Sequence, residues 1–316
     1  MPKVSILIPV FNRKDYIAEC IQSALDQTFT DFEVVVVDNA SGDGTWEICQ
    51  QFAAADQRVR IFRNESNIGP VLNWKRCIGE ARGIYGNILF SDDAIAPDYL
   101  EKTIPYLIKS EVGFVFSSVK IGAKPEKTRI NYNYASETGI YTMNDFINAS
   151  LFGGNVPISP GCAIFRIADL KRNLVLDIPS PTIKDFLSHG AGPDVLLYLL
   201  TARSYSSFAY IKEPLCFFRE HEGSISVADK NQYLSRCYIQ AKIWFSETYF
   251  RFNQLGDFYI HTWYEYCRFT SDWKTPSAFL IEYSFNKSRF LFFYLFRLII
   301  SRVFLKVKRL TRYFLH

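Results

Sequence analysis

Ile88-Leu-Phe-Ser-Asp-Asp93 is an apolar run that ends abruptly in two adjacent carboxylates. The apolar part, residues 84–90 with Gly86 and Asn87 inside it, has the length of a buried strand, and Pro97 stands where a helix can begin. The carboxylates then lie at a strand's carboxyl end. In open α/β sheets that edge is where ligands bind, and two hard oxygen ligands there suit Mg²⁺ or Mn²⁺ held against a substrate phosphate. On this stretch alone an Asp pair capping the helix near Pro97 explains the residues equally well.

Upstream, Val4-Ser-Ile-Leu-Ile-Pro-Val10 reads as a first buried strand, followed by Ile17, Cys20, Ile21, Ala24 and Leu25 at helical spacing. Residues 33–37 form a second strand that stops at Asp38, and Asn39-Ala-Ser-Gly-Asp-Gly-Thr45 is a polar turn before a helix opening near Trp46. Residues 59–62 are a third strand, 71–81 a helix, 97–108 a helix and 114–119 a strand. Such alternation predicts an α/β chain built of βαβ units, with a mainly parallel sheet and a nucleotide-sized crevice.

Residues 123–142 are polar and read as a long loop or irregular hairpin, with an apolar strand at 162–165 beyond it. Asp194 opens a helix over 195–202, and 208–218 is a broken strand that leads into Arg219-Glu-His221. After about Lys230 the strands cease and the chain reads as helices rich in Tyr, Trp and Phe.

A chain of 316 residues, 48% hydrophobic and 22% charged, is long enough for one large or two ordinary domains. The short apolar run near the N-terminus meets Asn12, Arg13, Lys14 and Asp15 at once, which is unlike a signal peptide and predicts a cytoplasmic protein. Seven scattered cysteines without a C-x-x-C pair indicate neither a zinc site nor a disulfide framework. Residues 283–316 hold eight Lys or Arg and no acid, leaving the rest of the chain net acidic. That asymmetry points to a local anionic partner such as a membrane, and not to nucleic acid gripped by the whole protein.

The polar residues at strand ends are Asn12 and Arg13, Asp38, and Asp92 and Asp93, with Asn67 and Gly69 in a turn between them. All belong on one edge of the sheet. Neither a G-x-G-x-x-G nor a G-x-x-x-x-G-K loop follows the first strand, so a nucleotide bound here must have its phosphates held by side chains and a metal. Asp38 can accept a hydrogen bond from a base N–H or a ribose hydroxyl, or can serve as a turn or capping residue.

Val4-Ser-Ile-Leu-Ile-Pro-Val-Phe-Asn-Arg13, Val37-Asp-Asn-Ala-Ser-Gly-Asp-Gly-Thr45, Asn67-Ile-Gly69, Ser91-Asp-Asp93 with Pro97-Asp-Tyr-Leu-Glu101, and Arg219-Glu-His221 together resemble a bacterial family-2 glycosyltransferase of the GT-A fold, over about residues 3–226. The resemblance implies a Rossmann-like, mainly parallel sheet flanked by helices, with a nucleotide-sugar half (1–120) and an acceptor half (121–226). A helical region (227–316) follows. It implies that Pro9, Phe11, Asn12, Asp38, Asn67 and Asp92 bind the nucleotide, with Asp38 reading uracil. Asp93 matches the metal-binding end of the family's Asp-x-Asp motif, whose first Asp is replaced here by Phe90 or Ser91, and His221 is a further metal candidate. Arg219 is assigned to the diphosphate. Asn39 stands where a second Asp is frequent. Asp194 matches the catalytic base, with Pro193 in place of the usual Glu and Asp185 as the other candidate.

The activity implied is inverting, Mn²⁺- or Mg²⁺-dependent transfer of a hexose from a nucleotide diphosphate sugar, with UDP-sugar favoured. The acceptor implied is a polyprenyl-diphosphate-linked saccharide in O-antigen, capsule or other surface polysaccharide synthesis. A noncatalytic nucleotide-sugar-binding protein and a nucleotidyltransferase are the alternatives, the latter normally carrying a Gly-rich loop absent here. From Phe290 onward the longest uncharged run is seven residues, too short to span a bilayer. Wound as a helix, that tail sets Phe292, Phe296, Ile299, Ile300 and Val303 opposite a cationic face. This pattern suits a peripheral helix on the inner face of an anionic membrane, or a face that packs on protein or a second subunit.

Overall fold

The computed structural model describes residues 2–229, 232–250, 252–270 and 274–284. The basic tail therefore lies outside the described residues. Elements run in the order β1 (Val4–Val10), α1 (Ile17–Leu25), β2 (Phe32–Asp38), α2 (Thr45–Ala55), β3 (Val59–Arg63), α3 (Pro70–Glu80), β4 (Tyr85–Ile88), β5 (Ala94–Ile95), α4 (Tyr99–Leu107), β6 (Val112–Lys124), β7 (Lys127–Asn131) and β8 (Gly139–Thr142). Then come α5 (Met143–Leu151), β9 (Ala163–Arg166), α6 (Ile167–Asn173), α7 (Pro193–Ala202), β10 (Ser207–Arg219), α8 (Ile225–Ala228), α9 (Tyr233–Tyr249), α10 (Phe252–Thr270) and α11 (Pro276–Tyr283).

One sheet takes the order β3-β2-β1-β4-β9-β6-β10-β5, with β7 beside β6 and β8 beside β10. Every residue of β1 and β2 is buried, as expected where helices cover both faces and a strand cannot alternate polar with apolar side chains. The sheet is parallel along β3-β2-β1-β4 and again between β6 and β10, and antiparallel where β9 is inserted between β4 and β6. The first four strands thus point their carboxyl ends, with Asp38 and the Asp92-Asp93 turn, to one edge.

At the opposite edge Glu33 is buried among Arg60 at 2.8 Å, the Ser5 hydroxyl at 2.7 Å and the Arg82 N–H at 2.8 Å. That cluster fixes where the chain enters β4.

Two sequence expectations change in detail. The strand expected over 84–90 pairs only over Tyr85–Ile88, because Phe90 to Asp93 turns tightly and β5 leaves at once to pair with β10. The helix after it starts at Tyr99 behind Asp98, so Asp92 and Asp93 do not cap it. The polar segment after residue 123 is a hairpin of β6 with β7, followed by β8.

The chain forms two compact units, Met1–Ile178 with Asp185–Tyr238, and Pro179–Lys184 with Ile239–His316. The division between the units falls within α9, after Tyr238, which hydrogen-bonds Asp194 inside the first unit. In the second unit, Gln240 joins Ser180 (3.1 Å) to the carbonyl of Tyr283 (3.0 Å), and the rings of Tyr266, Phe279 and Tyr283 pack against one another tilted or edge-on. Among the described residues no helix is long and apolar enough to cross a membrane.

Candidate active site

The turn after β4 is closed by the Asp93 N–H donating to the Phe90 carbonyl at 3.0 Å. Asp93 Oδ1 accepts the backbone N–H of Arg219 at 2.9 Å, and the Arg219 Nε–H donates to the Asp92 carbonyl at 3.0 Å. The rest of that guanidinium pairs with Glu19 at 2.7 Å and lies over the rings of Tyr16 and Phe217. Arg219 thus clamps the end of β10 to the acidic turn. Asp92 Oδ2 faces His221 Nε2 at 2.8 Å and Arg13 Nε at 3.5 Å, and the His221 ring rests on Tyr16. Burial, and then the charge of Asp92, push the Asp93 carboxyl well above the usual carboxylate range.

A cavity of about 930 Å³ opens over this edge. Of the residues singled out in the sequence, Pro9, Phe11, Asn67, Asp92, Asp93, Asp194 and Arg219 are in its wall, together with Arg13, Asn39, Trp74, Tyr132, His189 and Tyr238. Asn12, Asp38 and His221 are not in its wall. Asn12, with φ of 50°, holds the following loop by accepting the Gly42 N–H at 3.0 Å and donating its own N–H to Ser41 at 2.8 Å. Asp38 is fully buried, accepts the Ser41 N–H and pairs with Arg63 at 3.1 Å. Of the two roles open to Asp38 in sequence, the structure gives the turn residue.

A chain of amides runs beside it. The Asn73 amide donates to the Val37 carbonyl (3.0 Å) and accepts from Asn64 (3.0 Å); Asn64 also donates to Asn39 (2.8 Å), and Asn39 donates to Asn67 (2.7 Å). Sequence reasoning missed Asn64 and Asn73, since no motif spacing marks them.

Asp194 sits in the first turn of α7, behind Gly192. Its Oδ1 accepts the N–H groups of Gly192 (2.9 Å) and Val195 (2.6 Å), so capping and cavity-facing roles coexist. Its Oδ2 accepts the Tyr238 hydroxyl at 2.7 Å. Burial raises its pKa to about 7 against these hydrogen bonds. Gly190 is in the left-handed region (φ 80°), and a Cβ there would lie 2.2 Å from the Trp74 ring, so only glycine lets this loop lie against α3. Asp185 is exposed, caps its own turn by accepting the N–H groups of Leu187 and Ser188, and is not in the cavity wall.

The residues fit a divalent cation in part. Two adjacent carboxylates, one buried against the other's charge, are a hard donor pair that a cation would relieve. Among the described residues no three acidic, His or Cys side chains converge on one point, and His221 meets Asp92 and not Asp93. Substrate phosphates and water would complete the coordination of a cation held by Asp92 and Asp93.

A parallel half-sheet that brings acidic turns to one edge, completed by an inserted antiparallel strand and flanked by helices, is the architecture of GT-A glycosyltransferases. Residues 5–174, more than half of the chain, match the model for glycosyl transferase family 2, and the chain belongs to that family. It is 30% identical over 152 residues to TuaG of Bacillus subtilis, a glycosyltransferase assigned to teichuronic acid biosynthesis; the match covers 48% of this chain and 60% of that protein. Identity to a chondroitin synthase of Escherichia coli is 42% over 102 residues, 32% of this chain and 15% of that protein. Thus the matched region spans about three fifths of the first relative's length and far less of the second's. Residues 1–349 of S. aureus TarS in complex with UDP-GlcNAc superimpose with a TM-score of 0.59 at 18% identity, covering 85% of this chain and 88% of that one. The TarS complex with UDP gives 0.55 at 20%, over 80% and 74%. At these identities the likeness shows the fold.

Asp38→Asn leaves an acceptor for Ser41 but turns an uncharged amide toward Arg63. Because Arg63 is half exposed, the expected loss of stability is about 1–2 kcal/mol, read as a lower urea midpoint. An unchanged midpoint would show that the pair does not hold the loop.

Proposed function

We propose that this chain is an inverting glycosyltransferase that moves a hexose from a nucleotide diphosphate sugar, a UDP-sugar, to a polyprenyl-diphosphate-linked saccharide in surface polysaccharide synthesis. One observation carries the reading: the acidic pair Asp92 and Asp93 and the separate carboxylate of Asp194 line the same cavity. Asp194 takes the proton from an acceptor hydroxyl as that oxygen attacks the anomeric carbon, and the bond from that carbon to the diphosphate oxygen breaks on the opposite face. Arg13, in the cavity wall, offers positive charge to the diphosphate; Arg219 acts by holding the acidic turn, its guanidinium already being engaged by Glu19 and the Asp92 carbonyl. A bound Mn²⁺ or Mg²⁺ at Asp93 and Asp92 would neutralise the leaving group. Trp74, Phe90, Tyr132 and Phe218 give the cavity apolar faces on which sugar rings can rest.

The proposal is tested by binding and turnover together. Mn²⁺ with UDP should raise the melting temperature of the protein, and Asp93→Ala should remove the metal-dependent part while leaving the ligand-free melting temperature within a few degrees. An equal Mn²⁺ response in the variant would refute the metal assignment.

Asp194→Asn should keep UDP binding and lower transfer about 10²- to 10⁴-fold. A base must be ionised to act, and its pKa is about 7, so kcat should rise as pH increases toward 7 and level off above it. Binding without any turnover in the wild type, across a panel of acceptors, would favour a noncatalytic nucleotide-sugar-binding protein.

The acceptor's lipid places the enzyme at the inner face of the membrane, and the eight basic residues of 283–316 suit an anionic surface. Full-length protein should sediment with anionic liposomes at low salt, and protein ending before Lys287 should stay in solution while still binding UDP. Failure of the full-length protein to sediment would assign the tail to protein contacts.

A further inference from the structure

We infer that Tyr238 is a positioning residue for the base, its hydroxyl fixing the Asp194 carboxylate so that one lone pair of Oδ2 remains for the acceptor hydroxyl. This rests on the reading of Asp194 as base. A carboxylate offers about four acceptor sites. Two on Oδ1 are taken by the Gly192 and Val195 N–H groups, and one on Oδ2 by Tyr238 at 2.7 Å. The first two donors come from the residues that flank Asp194 in its own turn and grip a single oxygen. The phenol comes from α9, 44 residues further on, and is the contact that fixes the second oxygen. Both side chains line the cavity.

The surroundings leave Tyr238 alone in this role. Tyr132 and Cys237 also feel the charge of Asp194, and burial pushes both upward, the thiol to about 12, so neither carries charge at neutral pH. Burial and the charge of Asp194 likewise hold the Tyr238 phenol well above its ordinary range, so it stays a donor. His189 accepts the Ala191 N–H on Nδ1 and lies 3.6 Å from Cys237 through Nε2. Among the described residues no cation pairs with Asp194.

The test is the pH profile of kcat in Tyr238→Phe, with UDP affinity and melting temperature measured beside it. Loss of a hydrogen bond that favours the ionised carboxylate should move the rise in kcat to higher pH and lower kcat at pH 7 about tenfold, with UDP affinity unchanged. Should Tyr238→Phe fold poorly, 3-fluorotyrosine at position 238 keeps the shape and strengthens the donor, and the rise should then move to lower pH. Profiles that coincide with the wild type in whichever of these proteins fold would overturn the inference. Asp194→Asn separates the two levels. If it retains transfer, the base reading falls and this one with it; if it loses transfer while the Tyr238 profiles stay put, only the role of Tyr238 falls.

Discussion

Two carboxylates on consecutive residues, one of them buried, repel each other, and much of the site serves to hold them. Asp93 takes a backbone N–H from the last residue of β10, and the side chain of that same residue, Arg219, takes the carbonyl of Asp92. Arg13 and His221 face the remaining charge. The acidic turn therefore depends on the meeting of two strand ends more than a hundred residues apart, and β10 must reach its full length for the turn to hold its shape. The short β5, paired with β10 just beyond the turn, locks that meeting in place.

The fold was legible because buried parallel strands have few ways to be written. Val4–Val10, Ser5 apart, and the valines of β2 read as apolar runs, and the helix between them carried clear periodicity. The polar strand ends were legible for the same reason, since a charge that follows an apolar run marks where the strand ends, even where, as at Asp38, the charge itself stays buried. What stayed hidden came from distant segments. Nothing near Asp194 announces Tyr238, and nothing near Asp38 announces that Arg63 will neutralise it. The family pattern placed Asp38 against a base, whereas here its charge is already engaged inside the sheet edge. Likewise nothing in the sequence says that His221, read there as a metal candidate, faces Asp92, a partner that depends on how the chain turns after Arg219.

The cavity's two chemical ends differ in how their charge is managed. Around the acidic pair, cationic partners crowd close and the carboxylates belong to a network. Around Asp194 the neighbours are neutral phenols, a thiol and backbone amides, and its tendency to hold a proton is set by burial, which raises it, against the hydrogen bonds of Tyr238 and the backbone, which lower it. One end is thus suited to a charged ligand group and the other to moving a single proton.

The amide chain beside the cavity carries a direction as well as stability. Side-chain amides can ordinarily be turned either way round, but the Val37 carbonyl accepts only a donor, which turns the nitrogen of Asn73 inward and its oxygen toward Asn64. Each step then dictates the next, through Asn39 to Asn67, whose oxygen is consumed by Asn39 and by the Gly69 N–H. The backbone of β2, together with Arg76 on the Asn64 oxygen and the Ile68 N–H on the Asn39 oxygen, thereby decides, four side chains away, that the last amide has its nitrogen to spare. Polarity is transmitted to the cavity edge, with the Arg76 guanidinium donating into the chain at Asn64, and one Asn→Asp exchange along the line would interrupt it.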